Sequence, residues 1–300
     1  MALRSLDNAL PIAAERPRKA AKIAISDQKG KQQPDHVVND ENQVPVPVPI
    51  STDVSIDYIS SENLKPFEDP NSKIQGLVGG LESKDWLKVC ESLNDVRRFA
   101  LYHSALLQPI LEKVVLVMVK AIKNPRSALC KTSIMAASDV FNAFGETLLE
   151  SASDAFSQLL LQLLLKASQD KKFVCEEADK ALLAMTKSMA PLSLLHKLSS
   201  YVGHMNLRVR AKAAVSISNC ISNMDLKSME EFGLAALIQV ASKLLNDKLP
   251  EAREAARGIV VSLYGAMTEG EEEKQEFWQS FCQSNLPAIH AQAMIKLVSS

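Results

Sequence analysis

Aromatic residues are scarce in this chain of 300 residues, at 5% against 47% hydrophobic residues overall, so any core it builds is aliphatic. A dominant charge sign is missing as well. Lys and Arg number 34 and Asp and Glu 35, a formal net charge of −1, which excludes a generally basic nucleic-acid binder and leaves room only for a local basic stripe. No apolar run reaches the roughly 18 residues of a membrane-spanning helix. The longest candidate, Leu159 to Leu165, is interrupted by Gln162 and closed by Lys166. The first residues lack the apolar stretch of a secretory signal.

Motifs of chemistry are missing too. His36, His103, His196, His204 and His290 show no i, i+4 pairing and no Cys/His spacing suited to zinc. There is no Gly-x-Ser-x-Gly, no P-loop and no dinucleotide fingerprint. Glu176, Glu177 and Asp179 fall on polar helix faces, where carboxylates are ordinarily solvated. The sequence therefore assigns no catalytic residue, no metal, no cofactor and no small-molecule substrate, and an enzyme is not expected.

What is present is repetition. A turn followed by an aliphatic residue, a Cys or Arg, two variable residues and usually a small one occurs five times. The copies are Val89-Cys90-Glu91-Ser92-Leu93, Leu129-Cys130-Lys131-Thr132-Ser133, Val174-Cys175-Glu176-Glu177-Ala178, Val209-Arg210-Ala211-Lys212-Ala213 and Ala252-Arg253-Glu254-Ala255-Ala256. Spacings of 40, 45, 35 and 43 residues are the period of stacked helical hairpins. Cys90, Cys130 and Cys175 share one slot in three repeats, and no Cys-x-x-Cys occurs. Equivalent slots in stacked helices lie roughly 10 Å apart, beyond disulfide reach, so these cysteines are expected to be small buried residues in a reducing compartment.

The first seventy residues hold eight of the thirteen prolines, including the Val-Pro alternation through Pro45, Pro47 and Pro49. Residues 1–31 carry seven basic and three acidic side chains; residues 35–69 carry one basic and eight acidic ones. Such a composition cannot bury enough apolar surface to offset its ordering entropy, so residues 1–71 are expected to be a disordered tail. Its cluster Arg16, Arg18, Lys19 and Lys22 fits contact with an acidic surface, a merely solvated tail, or a transit peptide spoiled by Asp7 and Glu15.

Residues 72–300 read as all-α, a solenoid of about six helical hairpins. A short first helix around Ile74–Leu81 is followed by one capped by Asp85. Leu106 to Lys123, with Pro109 in its first turn, leads through Asn124-Pro125 to Arg126–Phe144, stopped at Gly145. The cycle recurs as Ala155–Ser168 with Phe173–Met189, Pro191–Val202 with Val209–Met224, and Glu230–Leu245 with Glu251–Met267. Glu271–Ser284 and Leu286–Val298 close the series.

Stacking places the turns inside the hairpins along one edge, and those turns are cationic. They carry Lys84, then Lys123 and Arg126, then Lys171 and Lys172, then Arg208 and Arg210, then Lys248 and Arg253. Cations on short turns suit a flat acidic protein surface. Trp86, flanked by Lys84, Asp85 and Lys88, is either a binding anchor at the end of this rim or a lid on the first repeat. Trp278, with Phe277 and Phe281, reads as core.

Lys84-Asp85-Trp86, followed by Cys90-Glu91-Ser92-Leu93 and Val96-Arg97-Arg98, resembles the opening repeat of a TOG domain. Lys123-Asn124-Pro125-Arg126-Ser127 is similar to the second turn of the CLASP and Crescerin/TOGARAM branch, with its Arg-Ser pair. The resemblance spans residues 72–299. It implies a HEAT-type solenoid that binds αβ-tubulin or microtubules through its turn edge, in the cytoplasm and on the cytoskeleton. By position, Trp86 would be the apolar anchor, with Lys84 beside it and Ser127 in the Arg-Ser pair. Arg126, Lys171, Lys172, Arg208 and Arg210 would be polar or ionic contacts, with Lys248 and Arg253 reaching the second tubulin subunit. Lys248-Leu249-Pro250-Glu251 departs from a uniformly basic fifth turn. The rival reading is a generic armadillo or HEAT adaptor, but a peptide-binding groove of that kind needs a Trp and Asn ladder that two tryptophans cannot supply. Neither nucleic acid nor membrane is expected as a partner.

Overall fold

The computed structural model describes residues 58–168 and 171–299, and among these every regular element is helical. Six antiparallel pairs follow one another: α1 (Pro70–Leu81) with α2 (Trp86–Tyr102), α4 (Leu111–Ile122) with α5 (Ser127–Ser151), and α6 (Ser153–Lys166) with α7 (Lys172–Ser188). Then come α8 (Pro191–Ser199) with α9 (Leu207–Ser222), α11 (Leu234–Leu245) with α12 (Pro250–Met267), and α13 (Lys274–Asn285) with α14 (Ala288–Val298). Short helices α3 (Ser104–Leu107) and α10 (Leu226–Phe232) lie in the connections between pairs. The second helices α2, α5, α7, α9, α12 and α14 pack on one another in that order, which makes the domain an α-solenoid.

Each repeat unit falls at the start of a second helix and buries its aliphatic residue: Val89, Leu129, Val174, Val209 and Ala252 are all core. The core is aliphatic, as the composition requires, with Leu93, Val96, Ile134, Leu160, Ile217 and Ile259 wholly inaccessible. Full burial of each such side chain contributes about 1.5–3 kcal/mol. Trp278 is buried beside Phe281 and Tyr264. None of the five cysteines is in a disulfide; Cys90, Cys130, Cys220 and Cys282 are buried and Cys175 is half-buried. Burial pushes the Cys90 thiol up to about 11 and those of Cys220 and Cys282 up to about 12, so they stay protonated and unreactive.

Several boundaries differ from the sequence reading, each for a local reason. The helix expected over Leu106–Lys123 is broken into α3, a 3-10 turn at Gln108–Ile110 and α4: Pro109 has no N–H to continue the α ladder, and Ile110 after it leaves the α region at φ −115° and ψ 12°. The helix expected over Glu230–Leu245 is likewise two helices, divided at Gly233, whose φ of 106° side chains rarely tolerate. Gly145 stops nothing: α5 runs through it to Ser151. It is there for closeness, since a Cβ on Gly145 would sit 2.1 Å from the Ser188 carbonyl oxygen at the end of α7. Gly145→Ala is therefore expected to cost about 1–3 kcal/mol by overpacking. Gly265→Ala, where a Cβ meets nothing within 4 Å, should be neutral or stabilising. Urea denaturation of the two variants checks this, and equal stability of both would contradict the close approach.

Residues 58–71 of the expected tail are among the described residues. Residues 58–69 lie across α2 and α5 as a strap, ahead of α1 at Pro70. Leu64 is buried, its carbonyl accepts from Tyr102 Oη at 2.7 Å, and Phe67 packs against Phe99 with the rings tilted by 40° and 4.8 Å between their centres. Arg97 of α2 organises the strap. Its Nε donates to Asp139 Oδ2 of α5 at 2.7 Å and its Nη1 to the Ile59 carbonyl at 2.7 Å. Ser61 Oγ receives from Arg97 Nη2 at 3.2 Å and donates to Asp139 Oδ1 at 2.8 Å. The ion pair is almost wholly buried, at 1% and 3% exposure. The remainder of the expected tail, and its basic cluster, lie outside the described residues.

Candidate functional site

The turns inside the hairpins are fixed by acidic or amide side chains. Asp85 and Asn206 are N-caps: Asp85 Oδ1 accepts from Leu87 N at 3.0 Å, and Asn206 Oδ1 from Arg208 N at 3.0 Å. Asn124 and Asp247 fold the preceding residues instead, accepting from Arg126 N at 2.9 Å and Leu249 N at 2.9 Å. Four of the turns thus hold the residue two positions on by the same bond. That bond sets where Arg126 and Arg208 leave the backbone.

Successive turns then touch through their cations. The Arg126 guanidinium of the second turn lies 5.4 Å from the centre of the Trp86 ring in the first, a cation–π contact. Lys171 Nζ of the third donates to Ser127 Oγ of the second at 2.7 Å. Arg208 Nη1 of the fourth donates to the Ser168 carbonyl of the third at 3.1 Å. Each cation reaches back one repeat, so the first four turns form one continuous edge with the indole at its leading end. Trp86 is neither free nor sealed. It is half-buried against the core and forms one wall of a cavity of about 300 Å³ with Leu81, Val89 and Val117.

The remaining predicted residues divide. Lys84, Lys172 and Lys248 are exposed on the same turns, Lys172 paired with Glu176 at 3.6 Å within its own helix. Arg210 and Arg253 turn inward instead. Arg210 Nε pairs with Asp247 Oδ2 at 2.5 Å and its Nη1 donates to the His204 carbonyl at 3.0 Å. Arg253 Nη1 donates to the carbonyls of Asp247 at 2.8 Å and Lys248 at 3.0 Å. Both occupy the repeat slot that holds Cys90, Cys130 and Cys175 in earlier repeats, and both are half-buried there. Their work is to brace the fourth and fifth turns. Burial would raise the Asp247 carboxyl, but the Arg210 bond and backbone N–H donors hold it below the usual carboxylate range.

Sequence reasoning missed two side chains of this edge. Met205, at the tip of the fourth turn, is 95% exposed, an apolar surface beside Arg208 that no periodicity marks. Lys166, at the end of α6, closes an apolar run in the sequence, and in the fold it lines a hollow with Lys123, Lys171 and Arg208.

A stack of HEAT-type hairpins with a Trp-led turn edge is the architecture of a TOG domain. Residues 92–278 match the CLASP N terminal family model, well over half the chain, and the chain belongs to that family. It is 27% identical over 215 residues to the mouse (Mus musculus) TOG array regulator of axonemal microtubules protein 1, across 70% of this chain and 12% of the relative. The chain thus spans about an eighth of the length of that curated relative. Among solved structures it resembles the TOG domain of Zyg9 from C. elegans, with a TM-score of 0.56 and 15% identity over 79% of this chain and 88% of that one. A chain from the structural study of microtubule plus-end tracking by XMAP215, CLIP-170 and EB1 gives a TM-score of 0.57 at 20% identity, over 78% and 92%.

Proposed function

We propose that this domain is a non-enzymatic tubulin-binding module that docks an αβ-tubulin dimer, free or in the lattice, on its turn edge, and so acts in organising the microtubule cytoskeleton. Trp86 is the apolar anchor at one end. Arg126, Lys171 and Arg208, each propped by the preceding turn, present charge without losing much conformational freedom on docking. Lys84, Lys172 and Lys248 extend the cationic rim. Arg210 and Arg253, committed to the turns themselves, support the edge from behind.

The observation that carries this reading is the turn-to-turn series of contacts from Arg126 to Trp86, Lys171 to Ser127 and Arg208 to Ser168, which makes one rigid edge from residues distant in sequence. The family, and a relative whose name describes regulation of axonemal microtubules, give the direction in which to look for the partner.

Gel filtration with unpolymerised tubulin, run beside co-sedimentation with microtubules, tests it. The full chain is expected to comigrate with tubulin in at least one assay. Affinity should weaken as salt rises through about 0.1 M, where the screening length is only about 10 Å. Absence of binding in both assays would end the proposal, and binding indifferent to salt would remove the cations from it.

A further inference from the structure

On the face of the second helices, the strap closes over the Arg97–Asp139 pair and sends one hydroxyl into it. Ser61 Oγ donates to Asp139 Oδ1 at 2.8 Å and accepts from Arg97 Nη2 at 3.2 Å. Its neighbours Ser60, Glu62 and Asn63 are exposed, and Ser60 Oγ accepts from Asn63 Nδ2 at 3.0 Å within the strap itself. The hold on α2 and α5 comes from side chains, with Leu64 and Phe67 at the far end. Beside Phe67 that fit is incomplete. Arg98, 5.4 Å from the ring centre, and His103, at 6.3 Å, keep a buried Nε and a buried Nε2 without hydrogen-bond partners. Unpaired nitrogens weaken the closed state, so the strap can open locally while the helical stack stays folded.

The surroundings of Ser61 accept a hydroxyl and reject an anion. A hollow of about 430 Å³ adjoins it, lined by Arg97, Lys131 and Lys180 and by Glu62, Asp139 and Glu177, three cations against three carboxylates. Those cations are already engaged. Arg97 holds Asp139 and also donates through Nη1 to the Ile59 carbonyl at 2.7 Å and Asn94 Oδ1 at 3.1 Å. Lys131 and Lys180 each lie 3.8 Å from Glu177 Oε2. A phosphate on Ser61 would add a charge of about −1.5 to −2. It would stand against the Asp139 carboxylate, which is 3% exposed, and Arg97 cannot neutralise both. Like charges at that separation and depth drive one of them into water, and the strap is the part free to move.

We infer that Ser61 is a phosphorylation site whose modification frees residues 58–69 from α2 and α5. A kinase transfers the terminal phosphoryl group of a nucleoside triphosphate to Ser61 Oγ. The bond to the departing diphosphate breaks as the new P–O bond forms, and the hydroxyl proton passes to solvent. The enzyme meets the strap in its open state, and the phosphate then prevents reclosing, which shifts the population. Release bares the groove that Leu64 and Phe67 fill. The inference is independent of the docking proposal and is tested without tubulin.

The test has two arms on the full chain. In the first, the chain is made unmodified, with phosphoserine encoded at position 61, with phosphoserine encoded at position 60, and as Ser61→Ala. Chymotrypsin cleavage after Leu64 and Phe67 then reports the open population. Phosphoserine at 61 should speed that cleavage at least about tenfold, Ser61→Ala about threefold, and phosphoserine at 60 less than about twofold. Circular dichroism should show unchanged helicity in all four, and phosphatase treatment should return the position-61 form to the unmodified rate. Cleavage of that form at the unmodified rate would overturn the switch. So would an equal rise with phosphoserine at 60, an equal rise in Ser61→Ala, or loss of helicity with phosphoserine at 61. In the second arm, the chain is expressed in eukaryotic cells, purified with phosphatase inhibitors and digested for mass spectrometry. Phosphate on Ser61 is the expected result, and Ser61 wholly unmodified would overturn its assignment as a modification site.

Discussion

Replacing Asp139 with alanine is expected to lower the melting temperature of the full chain by about 10 °C, the largest stability effect the structure predicts. Arg97 is 1% exposed and cannot lose its charge, so the truncation leaves a guanidinium buried without its counter-ion. Breaking such a pair typically costs about 3–5 kcal/mol, and for a domain of this size each kcal/mol moves the melting point by about 2–4 °C. Asp139 also anchors Ser61, so the strap should loosen and residues 58–69 become protease-sensitive. Arg97→Met combined with Asp139→Leu should recover most of the loss, because no uncompensated charge then remains. Thermal unfolding followed by circular dichroism decides it. A shift under about 2 °C for Asp139→Ala would mean that the pair does not hold the strap.

Trp86→Ala is expected to weaken tubulin binding by about 30-fold, or roughly 2 kcal/mol, the scale of a central aromatic anchor. The indole is the leading residue of the edge and carries the Arg126 guanidinium on its face. Its removal deletes the apolar surface and leaves Arg126 without its platform. Helicity should be unchanged, since the start of α2 is held by Asp85 through the Leu87 N–H rather than by the indole. Affinity within about twofold of wild type, measured by titration of labelled tubulin, would place the anchor elsewhere, with exposed Met205 the next residue to replace.

The helices were legible because each second helix begins with an aliphatic residue in register and each turn is marked by Asp, Asn or Pro. What sequence could not give were features set by distant partners. The strap looks too polar to fold, and its order comes from Asp139, 78 residues from Ser61. Gly145 reads as a terminator because glycine disfavours helix interiors, while its use, the close approach of Ser188, lies on another helix. Gly233 and Pro109 broke helices that apolar periodicity alone carries through. Arg210 and Arg253 belong to the turns by sequence, and no local pattern marks the His204, Asp247 and Lys248 carbonyls to which they donate. Met205 and Lys166 carry no local pattern and emerge only once the turns are assembled.

Hydrogen–deuterium exchange of the full chain with and without unpolymerised tubulin asks where docking occurs. If the corners between paired helices receive the partner, slowed exchange should concentrate in residues 83–87, 123–127, 171–173 and 204–208. Slowed exchange confined to residues 58–69 and the faces of α2, α5 and α7 beneath them, with those corners unchanged, would contradict the account.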